Sequence, residues 1–163
     1  MVRGLIADWR TLIWSTRADR LLWGLVAAAA LLAISAFVYV AAVRLSYPFE
    51  LEWMEGAVVD HVRVVLAGEP LYRKPSLDFT PYIYTPLYYY ACALVAAVVG
   101  PSIMAARAVS LVAALACMVL IHAFVRRESD DSIAAIVAAG LFAATYEVTA
   151  YWFDVARADS LAL

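Results

Sequence analysis

The chain has 163 residues, 66% of them hydrophobic and 16% charged, with a formal net charge of −2 and a mean hydropathy of +0.83. Soluble domains are typically about 45–50% apolar and about 25% charged, so water is not the main solvent of this chain. No basic block is dense enough for nucleic-acid binding.

Residues 1–20 carry Arg3, Arg10, Arg17 and Arg20, while Leu5, Ile6, Trp9, Leu12 and Ile13 recur at helical spacing. The pattern predicts a cytoplasmic helix lying in the membrane interface, with Trp9 and Trp14 at headgroup depth. A tail that only supplies orientation charges is the alternative. Leu21 to Val43 contains no charged residue, long enough to cross a hydrocarbon core of roughly 30 Å. This is the first predicted transmembrane helix, 21–43.

An outer loop, 44–81, follows. It holds Glu50, Glu52, Glu55, Asp60, Glu69 and Asp78 against Arg44, Arg63, Arg73 and Lys74. Within it Met54, Val58, Val62 and Val65 fall on one helical face, predicting an amphipathic helix over 53–67 that lies on the membrane surface. Prolines 70, 75, 81 and 86 break the chain beyond it. Residues 82–99 begin with a crowd of tyrosines at 82, 84, 88, 89 and 90 and are read as a half-embedded helix. Two further spans are predicted, 103–125 and 132–151, separated by a polar cytoplasmic loop at 126–131. The last residues, 152–163, form an outer segment and the start of another helix. The expected fold is thus all-α and integral to the cytoplasmic membrane, with three transmembrane helices, or four if 82–99 also crosses. Placing both basic clusters, 1–20 and Arg126-Arg127, in the cytoplasm favours three and leaves the N-terminus inside.

On this topology the carboxylates after the first span share the outer face with Asp154 and Asp159. A carboxylate there can serve as the general base for an acceptor hydroxyl, and arginines beside it suit a phosphate-bearing leaving group. Charged side chains on a solvated loop are the ordinary alternative. His61 stands next to Asp60, but a lone histidine at an interface is more often not a ligand. Arg107 is expected at a helix end, with its head reaching the interface. Glu147, near the end of an apolar run, has two readings: an intramembrane functional acid or a side chain reaching the outer interface. Cys92 and Cys117 lie inside apolar runs and read as small buried hydrophobes. No ligand spacing argues for a metal, and a divalent ion stays open.

Several segments resemble the first outer loop of GT-C membrane glycosyltransferases, of the protein O-mannosyltransferase and aminoarabinose-transferase-like kind. They are Glu52-Trp53-Met54-Glu55-Gly56, then Leu66-Ala67-Gly68-Glu69-Pro70-Leu71-Tyr72, then Tyr84-Thr85-Pro86-Leu87-Tyr88. Ala106-Arg107-Ala108-Val109-Ser110-Leu111 is similar to the start of the family's next span, and Arg126-Arg127 to its basic end. Ala156-Arg157-Ala158-Asp159-Ser160-Leu161 is similar to a later arginine-aspartate segment. The resemblance implies a polytopic enzyme that moves a sugar from a polyprenyl-phosphate carrier to an acceptor on the outer face, with no other cofactor implied. It makes Glu55 the glutamate of the family's acidic pair, where Met54 replaces the aspartate and Glu52 is the stand-in partner. Asp159 becomes the second active-site acid and Arg157 its neighbour, while Arg73 and Lys74 are candidates for the donor phosphate. Family members run to several hundred residues, and the resemblance covers only their N-terminal part. The competing expectation is a shortened, non-catalytic relative that packs against other membrane subunits as an accessory component.

Overall fold

In the computed structural model the described residues are 17–82, 84–158 and 161. The interfacial helix expected before Arg17 therefore lies outside the described residues. Five helices and no strand occur among them.

The first helix, α1 (Arg17–Leu45), begins with Asp19 in its first turn and ends with Arg44 in its last, each charge facing the helix-dipole end that favours it. A loop leads to α2 (Glu55–Leu66), the amphipathic element. Its start is held by the Glu52 side chain, which accepts from the Met54 N–H at 2.8 Å. It stops at Gly68, whose φ of 72° suits a residue without a Cβ. There the Gly68 N–H donates to Val65 O and the Glu69 N–H to Val64 O, the paired bonds of a Schellman C-terminus. The tyrosine-rich element is α3 (Pro86–Val99), with proline in its first turn, where the missing N–H costs nothing. It starts four residues later than the expected 82.

The next helix, α4 (Ile103–Ser129), is capped by the Ser102 side chain, which accepts from Ala105 N. It runs past the expected end at 125, because Arg126 reaches Asp130 one turn on at 2.7 Å and basic residues are favoured at a helix C-terminus. The polar loop expected at 126–131 is thereby reduced to Asp130, in the left-handed region, and Asp131. Asp131 caps α5 (Ser132–Ala144) through bonds from Ile133 N and Ala134 N. Here the structure departs from the expected span at 132–151. The helix ends at Ala144, and residues 145–156 continue as successive turns and bends in which Ala150 and Tyr151 have positive φ.

Of these helices, α1 and α4 are long and apolar enough to cross a membrane, with 29 and 27 residues. Only 17% of the most apolar window in each is buried, whereas the central helix of a soluble domain would be mostly buried. Exposed Leu21, Leu25 and Leu32 on α1 and Val112, Val119 and Leu120 on α4 form the outward apolar faces. The 14 residues of α3 extend about 21 Å and the 13 of α5 about 20 Å, both shorter than a hydrocarbon core of roughly 30 Å.

α5 packs along α1 and α4 through small residues. A Cβ added at Gly140 would stand 2.6 Å from the Ala30 Cα and 2.9 Å from its carbonyl oxygen, so the two backbones touch. Two apolar clusters result. One joins Phe37, Ala41, Ala114, Met118, Ala139 and Phe153. The other joins Val58, Val62, Tyr88, Cys92, Ala106 and Ala156. α4 and the segment after α5 contribute to both, and they meet where α1 ends and α4 begins.

Candidate functional site

At that junction the Arg107 side chain, in the first turns of α4, is fully buried. Its Nε donates to Glu55 Oε1 at 2.8 Å and one terminal nitrogen to Glu55 Oε2 at 2.5 Å. The remaining protons go to backbone carbonyls: Arg44 O at 2.9 Å, Tyr47 O at 2.7 Å and Phe49 O at 2.8 Å. A guanidinium has five N–H donors in a fixed fork, and all five have an acceptor here. The interfacial position expected for Arg107 is thus overturned. Carbonyls at the end of α1 and in the loop after it converge on the guanidinium, and the Arg44 carbonyl accepts from the Tyr47 N–H as well, at 3.1 Å.

Glu55, at the start of α2, is equally buried. Besides the two bonds from Arg107, its Oε1 accepts from the Ala156 N–H at 2.9 Å and its Oε2 from the Leu51 N–H at 2.7 Å. An ionised carboxylate offers about four lone-pair sites, and each is taken. Burial works to raise the Glu55 pKa, but the bonds from Arg107, Ala156 and Leu51 outweigh it and hold the carboxyl below its usual 4.5. Such a group remains ionised and has no lone pair left to accept a proton from an acceptor hydroxyl. As built, Glu55 is a clasp between the loop after α1, α4 and the late segment.

Two more ion pairs surround it. Glu52 meets Arg157, 105 positions away, at 3.1 Å, with 12% and 10% of their side-chain surfaces exposed. The Arg157 guanidinium also lies over the Trp152 ring, 4.0 Å from its centroid. Arg44, ending α1, meets Asp154 at 3.2 Å and also donates to the Tyr146 hydroxyl, which itself donates to Asp154 Oδ1 at 2.7 Å. Burial pushes the Asp154 carboxyl above its ordinary 3.8, and the Tyr146 and Arg44 contacts offset this only in part.

Of the sequence candidates, Glu52, Glu55 and Arg157 come together here. Asp159 lies outside the described residues, although its neighbours Ala156 and Arg157 bond directly to Glu55 and Glu52. Arg73 is engaged elsewhere: it pairs with Glu69 just beyond the end of α2, and its guanidinium lies 4.4 Å from the Phe79 centroid. Lys74 is exposed and has no ion-pair partner among the described residues. Among the described residues neither Arg73 nor Lys74 forms an ion pair with Glu52. Glu147 is exposed.

His61 is 1% exposed, against its expected interfacial place. Its Nε2 accepts from the Tyr82 N–H at 3.0 Å and its Nδ1 bonds Ala57 O at 2.6 Å. The ring lies between Tyr82 and Tyr89, with centroids at 5.0 and 4.9 Å. Both nitrogens serve to fasten residues 79–82 onto α2. No group of three acids, histidines or cysteines able to hold a metal occurs among the described residues.

Above this level Trp53, Met54, Pro81, Tyr82 and Tyr84 line an aromatic groove of about 370 Å³. The Glu50 carboxylate lies over Gly56, where an added Cβ would overlap it. That contact gives the Glu55-Gly56 pair a packing reason independent of any catalytic one.

Comparison with protein-family models, with curated proteins and with solved structures gives no match for this chain.

Proposed function

We propose that this chain is an integral membrane module of GT-C-like glycosyltransferase type, helping to move a sugar from a polyprenyl-phosphate carrier to an acceptor at the outer face. The observation that carries this reading is the Glu52–Arg157 pair, a carboxylate and a guanidinium brought from opposite parts of the chain to 3.1 Å. Glu52 is the general base for the acceptor hydroxyl. Arg157, bearing a planar fork of donors, neutralises the lipid-phosphate leaving group. Glu55 leaves the base role that the resemblance implies and becomes the clasp that positions both. Asp159 keeps its implied role beside Arg157, and Arg73 and Lys74 lose theirs.

Charge asymmetry supports the orientation. Because Arg107 bonds the last turn of α1, α4 starts where α1 ends. Its far end, with Arg126 and Arg127, then points away from that junction, as does the N-terminal end of α1 with Arg17 and Arg20. Basic residues favour the cytoplasmic side, which puts the Glu52–Arg157 pair outside. On this reading α1, α4 and the α5 segment cross, and α3 enters the bilayer only from the outer side.

The test is sugar transfer from a polyprenyl-phosphate-linked donor by the full-length protein in sealed right-side-out vesicles. Glu52→Gln is expected to lower turnover by at least ~100-fold, the scale of a general base, with the folded protein level unchanged. Transfer at the parental rate in that variant removes Glu52 from the mechanism, and transfer only from donor enclosed in the lumen overturns the orientation. The accessory-subunit reading draws on the saturation of Glu55, the acid that the resemblance would make catalytic. It predicts no transfer at all and stoichiometric copurification with other membrane subunits.

A further inference from the structure

Trp53, Tyr82 and Tyr84 stand at the acidic end of α2 with their rings nearly at right angles. Trp53 and Tyr82 have centroids 6.4 Å apart at 81°, and Tyr82 and Tyr84 6.2 Å apart at 84°. Perpendicular rings present two differently facing walls, and the open groove they line with Met54 and Pro81 has a volume of about 370 Å³, within the size range of small-molecule sites. The walls are fixed from behind. Tyr82 stacks on His61 at 5.0 Å, the Tyr84 hydroxyl contacts Met54 Sδ at 3.7 Å, and the Tyr84 carbonyl accepts from the Tyr72 hydroxyl. Trp53, by contrast, is 72% exposed, so its ring is open to a ligand.

Charge sets the kind of ligand. The Glu50 carboxylate lies over Gly56 in the first turn of α2, and the Glu52 carboxylate accepts from the N–H of Met54, one of the lining residues, so both acids stand beside the groove; burial first, and their charges after it, raise the Tyr82 phenol above its ordinary value. Arg157 balances Glu52. Glu50 has no ion-pair partner among the described residues and leaves the groove a net negative rim. Aromatic faces attract a cation within about 6 Å of the ring centroid, most strongly when the ion is weakly hydrated.

We propose that the Trp53–Tyr82–Tyr84 groove is a binding site for an alkylammonium group, with the rings as cage walls and Glu50 as counter-charge. The ammonium can belong to a lipid headgroup or to a soluble molecule. The site goes beyond the sugar-transfer reading and does not rest on it, since it uses neither Glu52 as a base nor Arg157 as a phosphate ligand.

The test uses the full chain in neutral maltoside micelles, titrated with choline and with its uncharged isostere 3,3-dimethyl-1-butanol, and read by saturation-transfer NMR on the methyl protons. Choline is expected to bind at least about tenfold more tightly than the isostere. Trp53→Ala and Glu50→Gln are each expected to weaken choline binding about tenfold while leaving the thermal midpoint unchanged, because both side chains are exposed. Equal binding of choline and the isostere, no choline binding in the millimolar range, or full binding by Trp53→Ala overturns the proposal. Should Trp53→Ala lower the thermal midpoint, Glu50→Gln with the isostere comparison decides alone. Nanodiscs then separate the sources. If choline binds in phosphatidylglycerol discs and is displaced in phosphatidylcholine discs, the headgroup occupies the cage; if it binds equally in both, the ligand is soluble. Either result supports the site.

Discussion

Tyr88 and Tyr89 are neighbours on α3 whose hydroxyls meet opposite fates. Tyr88 donates to Ala106 O at 3.0 Å and pairs with Ser110 Oγ at 2.8 Å, while the equally buried Tyr89 hydroxyl has no partner among the described residues. Removing one partner of a buried hydrogen bond typically costs about 1–3 kcal/mol, whereas removing an unpaired hydroxyl costs little. Tyr88→Phe is therefore expected to lower unfolding free energy in detergent by about 1–2 kcal/mol, and Tyr89→Phe to leave it unchanged or raise it. Equal losses in the two would contradict the assignment. At this scale the sequence was only partly legible. The family resemblance marked Glu52, Glu55 and Arg157 as notable, but the partner of Glu55 lies 52 positions away, beyond any local pattern. Arg107 looked like an ordinary residue ending an apolar run, because nothing near it in sequence announces three carbonyls waiting for a fork. The Asp60-His61 pair misled for a similar reason. Asp60 turns outward to Arg63, and the true neighbours of His61 are rings from 79–89.

The helices themselves were easier to foresee. Hydrophobic runs and bounding charges located α1, α2 and α4 to within a few residues, since both signals are local. The end of α5 was not visible, because the apolar run continues to Tyr146 while the backbone turns away at Ala144 to bring Asp154 to Arg44 and Arg157 to Glu52. Nor did the sequence single out Gly140 among several small residues. Its role is fixed by Ala30, on a helix more than a hundred positions earlier. Adding a methyl to a packed contact commonly costs about 1–3 kcal/mol, and Gly140→Ala is expected to destabilise the α1–α5 pair by that amount. Gly24, on the same α1 helix, has nothing within 4 Å of an added Cβ, so Gly24→Ala is expected to be neutral or stabilising by up to about 1 kcal/mol. Thermal unfolding of both variants checks the contrast. Ala30→Gly should restore Gly140→Ala only in part, because the Ala30 Cα and carbonyl stay in the way.

Across the whole molecule the two apolar clusters share no large side chain, and the Arg107–Glu55 clasp is the polar joint between them. It binds α1, the loop after it, α2, α4 and the segment after α5 at one point. Breaking a buried ion pair from one side typically costs about 3–5 kcal/mol, and Arg107→Lys and Glu55→Gln are each expected to fall in that range when unfolding is followed by denaturant titration. Lysine carries the charge but cannot reach five acceptors in a plane. A loss below about 1 kcal/mol would show that the junction is held by its apolar surroundings instead.

The same joint also has a direction. Three of its contacts are peptide oxygens from Arg44, Tyr47 and Phe49, and two are the Ala156 and Leu51 amides; none of these can change polarity. Exchanging the two charged residues, Glu at 107 and Arg at 55, would conserve every formal charge yet point a carboxylate at three electronegative oxygens and a guanidinium at two N–H groups. A swap of this kind often rescues a surface pair; here it should leave the protein as unstable as either single change.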